Sequence, residues 1–191
     1  GNETDYKTKI GGDVKFALTS SLNLDLTINP DFSQVEVDQE IANLDRFELF
    51  FPEKRQFFLE NADLFANFGY ATIRPFFSRR IGVTRDPNTG QNIQNKIDAG
   101  LRLSGKIHDD LRIGVLQMRT AAIDSINEPA NNFSVIALQQ KLFNRSSLGV
   151  IFTNKDVVGT KDFNRVGGIE YNIASKNNAV NGKVFYMQSF D

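Results

Sequence analysis

Leu22-Asn23-Leu24-Asp25-Leu26-Thr27-Ile28-Asn29-Pro30 decides the fold class. Leucine or isoleucine takes every second position and a polar residue each position between, which is the period of an extended strand with one apolar face. Pro30 has no backbone N–H to give and stops the ladder. Upstream, Ile10, Val14, Phe16 and Leu18 alternate with Lys9, Asp13 and Lys15, and the Thr19-Ser20-Ser21 break joins the two runs into a hairpin.

The pattern returns downstream. Ile97, Ala99, Leu101, Leu103 and Ile107 oppose Asp98, Arg102, Ser104, Lys106 and His108, and His108-Asp109-Asp110 turns the chain before Leu111. Further strands are expected over about 110–121, 132–143, 146–155, 164–174 and 178–189. The Asn144-Arg145 and Lys176-Asn177 connections are tight, whereas Ile123 to Asn131 and Asp156 to Phe163 are longer and polar. Short turns at one end, longer loops at the other and strands of about 9 to 12 residues fit an all-β, up-and-down antiparallel barrel of outer-membrane type, or part of one. A soluble antiparallel barrel or sandwich alternates in the same way, because one face meets a core. Arg112, Gln117, Arg119 and Gln139 to Lys141 leave no clean apolar face on their strands.

Between the second and third strands lies an insert, residues 33–94. Nine of the seventeen phenylalanines fall between Phe47 and Phe77, interleaved with Glu48, Glu53, Lys54, Arg55, Glu60, Asp63 and Arg74. A connection of this length without structure would argue against the strands themselves, so the segment is expected to pack against them. Pro52-Glu53 suits a helix start, and Phe58, Ala62 and Phe65 recur at helical spacing, which predicts a short helix over 53–66. Asp86-Pro87-Asn88-Thr89-Gly90 reads as a turn in preference to a calcium loop.

Composition excludes several classes. A net charge of -1 over 191 residues gives no basic footprint for nucleic acid. The absence of cysteine removes disulfides, zinc-thiolate sites and thiol catalysis, and suits an envelope protein. No run of eighteen apolar residues offers a transmembrane helix, and Gly1 in place of an initiator methionine reads as a processed or excised chain.

Three blocks carry a resemblance: Asn29-Pro30-Asp31-Phe32-Ser33-Gln34-Val35-Glu36, Phe47-Glu48-Leu49-Phe50-Phe51-Pro52-Glu53-Lys54-Arg55-Gln56-Phe57-Phe58-Leu59-Glu60 and Phe77-Ser78-Arg79-Arg80-Ile81-Gly82. In this order they resemble a Bacteroidetes-type outer-membrane barrel family, domain of unknown function 5916, often found behind a carbohydrate-binding family 9-like domain. The chain departs from it at Gln56, where the family usually has proline. The resemblance implies the outer membrane of a Gram-negative bacterium, with lipid as partner and other envelope proteins or glycans as further candidates. The resemblance also implies a barrel region several times longer, so an N-terminal portion of a larger barrel is expected. Eight strands enclose only their own side chains, so an insert of this size needs a wider barrel or a place outside it.

The carboxylates with any focus are Glu48, Glu53 and Glu60, with Asp63 nearby. A glycosidase pair would need two carboxyls about 5 to 10 Å apart across a sugar. Structural ion pairing is the preferred reading: Arg55, Arg79 and Arg80 are expected to pair with Glu48, Glu53 or Glu60 within the insert, since a buried charge requires a partner. His108 stands alone at a turn and offers no metal site. No serine sits in a nucleophile elbow, and Gly11-Gly12 and Gly167-Gly168 lie within strands, where they mark bends or close backbone approach instead of a phosphate cradle. No cofactor, metal or catalytic residue is expected. The phenylalanines read as core in preference to a sugar platform, which the absence of tryptophan disfavours. Three functions follow as expectations: a non-enzymatic barrel with a plug or constriction, passing or handling a solute; a membrane anchor for a carbohydrate-binding or carbohydrate-processing protein; and a soluble β-domain that binds a partner through the phenylalanine-rich insert.

Overall fold

The computed structural model describes residues 10–30, 53–70, 73–177 and 179–191. Glu48, with residues 31–36 of the first family-like block and 47–52 of the second, lies outside the described residues. In chain order the elements are β1 (Gly12–Ala17), β2 (Leu22–Ile28), the one-turn helices α1 (Gln56–Leu59) and α2 (Asp63–Ala66), β3 (Val83–Arg85), β4 (Asn92–Gln94), β5 (Ile97–His108), β6 (Leu111–Thr120), β7 (Asn131–Leu142), β8 (Ser146–Val157), β9 (Phe163–Ala174) and β10 (Asn181–Phe190). Eight of the strands form one antiparallel sheet in the order β1-β2-β5-β6-β7-β8-β9-β10, and β3 and β4 make a separate hairpin. The sheet is open: β1 is hydrogen-bonded to β2 and β10 to β9, and the two edges do not meet.

Register shows why these residues alternate. One row across the sheet runs Phe16, Leu24, Leu103, Val115, Ile136 and Phe152. The parallel row two residues away runs Leu22, Gly105, Ile113, Leu138, Val150, Ile169 and Tyr186. Between them, on the opposite face, lie Asn23, Ser104, Gly114, Ala137, Ile151, Gly168 and Met187. Large apolar side chains therefore line one face, while the other mixes small and polar residues with apolar ones such as Ile151 and Met187.

The insert covers the second face. Phe58, Leu64, Phe65, Phe68 and Ile81 from the insert join Ile97, Leu116, Met118, Val135, Ala137 and Ile151 from the sheet in a single buried cluster. The opposite, apolar face stays open, with Phe16, Ile136, Val150, Phe152, Ile169, Val184 and Tyr186 all exposed.

Two local expectations are corrected. The helix expected over 53–66 is two single turns, because Asn61 adopts a left-handed φ of 50° and breaks the chain between them. Asparagine tolerates that region when its side chain bonds nearby, and Asn61 Nδ2 donates to Ser104 Oγ at 3.1 Å. The alternation of β5 is also not continuous. A register shift between Ile97 and Ala99 carries Ile97 into the buried cluster, off the face of Leu101 and Leu103, and a second shift lies between Lys106 and His108 at the other end of the strand.

Candidate functional site

The insert begins with a self-contained knot. Glu53 accepts from the backbone N–H groups of Lys54 and Arg55 and pairs with the Arg55 guanidinium in a two-bond fork, at 2.9 and 2.8 Å. Ser78 donates to the same carboxylate at 2.6 Å, while Arg55 also donates to the carbonyls of Ser78 and Ile81 and lies over the Phe58 ring. Arg55 is buried, and this set of acceptors explains how a guanidinium is held there. Burial pushes the Glu53 carboxyl upward, but the hydrogen bond and charge of Arg55, with Ser78, outweigh it and leave the group below its ordinary value. Arg79 and Arg80 sit on the adjoining turn Ser78–Arg80, the first buried and the second exposed.

Glu60 does not look inward to that knot. It reaches the sheet, pairing with Lys15 of β1 and with Arg102 of β5 at 3.2 Å, and accepting from Asn23 of β2 at 2.9 Å. Of the carboxylates expected to pair with Arg55, Arg79 or Arg80, Glu53 meets Arg55, whereas Glu60 pairs with strand residues. Arg102, 3% exposed, also grips Asp25 at 2.8 Å and donates to the carbonyls of Phe57 and Glu60, the end of α1. A second clamp joins Arg112 of β6 to Asp63 at the start of α2, by two bonds of 2.6 and 3.0 Å. The hydrogen bonds from Lys15 to Glu60 and from Arg112 to Asp63 hold both carboxyls below their ordinary values. A glycosidase acid must instead be held protonated near neutral pH, so Glu53, Glu60 and Asp63 suit anchoring and not acid catalysis.

Glycines shape the seat. A Cβ on Gly114 would stand 2.5 Å from the tip of the Phe65 ring, and one on Gly168 would stand 2.9 Å from both the Phe68 ring and Met187. Gly168 therefore serves close approach, the second of the two roles its sequence context allowed.

At the end of the sheet that carries the short turns, the insert and β7 to β10 leave an open cleft of ≈ 510 Å³. Its lining comprises Asn67, Tyr70, Gln139, Ser147, Asn172 and the charged set Arg74, Glu170 and Lys183. Glu170, 5% exposed, accepts from the Gly69 N–H at 2.9 Å and from Asn172 at 3.0 Å, and pairs with Lys183 at 3.2 Å. Lys183 completes its coordination on the carbonyls of Asn67 and Gly69, both at 2.9 Å. Sequence reasoning missed this site, since Glu170, Lys183 and Asn67 are more than a hundred residues apart or on different strands. The one signal was a charged residue, Glu170, at an inward position of a strand.

Among the described residues no cluster of three or more histidine and carboxylate side chains could hold a metal ion. No helix among them is long and apolar enough to cross a membrane, which leaves crossing by strands untouched. The profile of the family described as Domain of unknown function (DUF5916) matches residues 1–190, and the chain belongs to that family. Comparison with curated proteins and with solved structures gave no match.

Proposed function

We propose that this chain forms one wall of an outer-membrane β-barrel, with the insert seated on the lumen side as a plug or constriction, and that the protein passes or handles a solute. The observation that carries the reading is the inversion of the sheet. Its uncovered face bears Phe16, Ile136, Val150, Phe152 and Ile169, while the covered face, around the apolar residues that meet the insert, carries the charged set Asp25, Arg102, Arg112, Glu170 and Lys183. Soluble monomers rarely leave a continuous apolar band of this kind open, whereas membrane barrels alternate apolar outward and polar inward.

Element lengths support it. The strands β5 to β10 have 10 or 12 residues, enough for a tilted crossing. Turns at 109–110 and 143–145 are short, while the long connection at 121–130 and both junctions of the insert with the sheet lie at the other end; 158–162 and 175–180, on opposite ends, are of similar length. Toward that end the apolar rows give way to Gln117, Ser134, Asn154 and Arg165, which bond one another across strands at 2.5 Å (Ser134 to Gln117) and 2.8 Å (Arg165 to Asn154). A polar border above an apolar band is what the edge of a bilayer selects. An insert with this much core needs more room than eight strands enclose, so the wall belongs to a wider barrel.

The test is fractionation followed by gel mobility in detergent before and after boiling. A membrane-pelleted species whose mobility shifts on boiling is expected. A monodisperse species in buffer without detergent, with no such shift, would overturn the reading.

A further inference from the structure

We infer that the cleft between Asn67–Tyr70 and strands β7 to β10 binds a neutral, hydroxyl-rich small molecule, of the size of a mono- or disaccharide. The inference takes from the proposed function only that the covered face meets a solute.

Charge comes first. Lys183 spends its three protons on Glu170, the Asn67 carbonyl and the Gly69 carbonyl, and Glu170 is bound by Lys183, Asn172 and the Gly69 N–H. Arg74 has a partner of its own. Glu170 and Lys183 therefore satisfy each other and Arg74 has an interaction of its own, so a ligand ion seeking a counter-charge from Glu170 or Lys183 would have to break their pair. Removing one partner of a buried pair is costly, so the cleft selects against ions of either sign.

What remains open is neutral. Among the described residues the side-chain amide of Asn67, Nε2 of Gln139 and Oδ1 of Asn172 have no partner, and Ser147 Oγ accepts from Asn172 at 3.3 Å while its own proton stays available. These groups converge from three strands and the insert. In the sheet, Gln139, Gly149 and Glu170 form one row and Ser147, Asn172 and Lys183 the next. Gly149, between Gln139 and Glu170 in its row, lets the Glu170 side chain lie close over the strand, since a Cβ there would stand 2.9 Å from Glu170 Cγ. Side-chain amides and a hydroxyl supply donors and acceptors side by side, as vicinal hydroxyls do. Tyr70, about half exposed and held by its own hydroxyl on the Lys183 carbonyl at 2.9 Å, adds a ring wall. A volume of ≈ 510 Å³ falls within the range of small-molecule sites.

The experiment is calorimetric titration of the full-length protein in lauryldimethylamine oxide, a detergent with no sugar headgroup, using maltose, glucuronate and glucosamine as probes. Maltose is expected to bind saturably, with glucuronate and glucosamine at least tenfold weaker. The double variant Asn67→Ala with Gln139→Ala should weaken maltose at least fivefold; because Gln139 also accepts from Arg112, the single variant Asn67→Ala, whose side chain has no partner among the described residues, is the stability control and should weaken maltose while keeping its thermal unfolding midpoint. Absence of saturable maltose binding, a charged probe binding as well as maltose, or an unchanged double variant would each overturn the inference. A membrane-embedded protein that ignores maltose sinks this inference alone. A detergent-independent soluble protein sinks the barrel reading, and the titration, run in buffer, still decides the cleft.

Discussion

Phe65 of the insert stands directly over Gly114 of β6, its ring tip 2.5 Å from where a Cβ on that glycine would be. The contact is possible only because position 114 has no side chain, and its neighbours in the same row, Ser104 and Ala137, are small as well. Gly114→Val is expected to lift α2 off the sheet, at a cost of about 1–3 kcal/mol for overpacking. Limited proteolysis reads the result: cleavage within 53–94 should rise sharply while the sheet persists by circular dichroism. An insert equally protected in the variant would show that the seat is not where the fold holds it.

Arg102 is the charge most committed to this union, because it binds Asp25 of its own sheet and Glu60 of the insert together. Arg102→Met leaves Asp25 and Glu60 facing each other with only the half-exposed Lys15 between them in place of a buried cation, and should destabilise by roughly 3–5 kcal/mol. Adding Asp25→Leu removes one stranded charge and leaves Glu60 with Lys15, so the double variant should recover much of the loss. A double-mutant cycle on thermal or denaturant unfolding measures the coupling, and simple additivity would contradict the clamp.

Acid should loosen the insert before it harms the sheet. Glu53, Glu60 and Asp63 are all held below their ordinary values, 4.5 for the glutamates and 3.8 for the aspartate. A carboxyl with a lowered folded value contributes stability that is present above its unfolded value and lost as pH falls through the folded one. Protease protection of 53–94 is therefore expected to be flat at neutral pH and to fall progressively below about pH 4.5. Glu53→Gln should lower protection at neutral pH and flatten part of the acid dependence. A wild-type insert that stays protected well below that range would remove these ion pairs from the account.

Much of the sheet was legible because period-two alternation, as in Leu22–Ile28, is a local property, and the joints at Asn144-Arg145 and His108-Asp109-Asp110 are short-range turn chemistry. Reading Arg112 and Gln139 as blemishes on an apolar face was where local reasoning failed. Both point to the covered side, where Arg112 meets Asp63 forty-nine residues earlier in the chain. The same limit applies to Glu60, whose partners Lys15 and Arg102 lie 45 and 42 residues away. Proximity in sequence made Arg55 and Glu53 visible as a pair; only register across β1, β2 and β5 brings Lys15, Asp25 and Arg102 to one point. The bulges in β5 and the break at Asn61 were hidden for a related reason, since each depends on a bond or packing contact with a distant segment.

The open face gives the sharpest discrimination between lipid and water. Ile136 and Val150 lie in the middle of the apolar rows, 45% and 42% exposed, whereas Ser134 and Asn154 mark their polar border. In a bilayer, Ile136→Arg or Val150→Arg near the midplane should cost about 2–4 kcal/mol, and Ser134→Arg at the border about 0–1 kcal/mol. The fraction of heat-modifiable protein after refolding into lipid vesicles reads this difference: it should fall steeply for the first two variants and hardly at all for the third. Were the face exposed to water, arginine at either position would be tolerated alike and would, if anything, improve solubility. Equal tolerance of Ile136→Arg and Ser134→Arg would therefore take the sheet out of the membrane, while a steep gradient from row to border would set the bilayer across Ile136 and Val150.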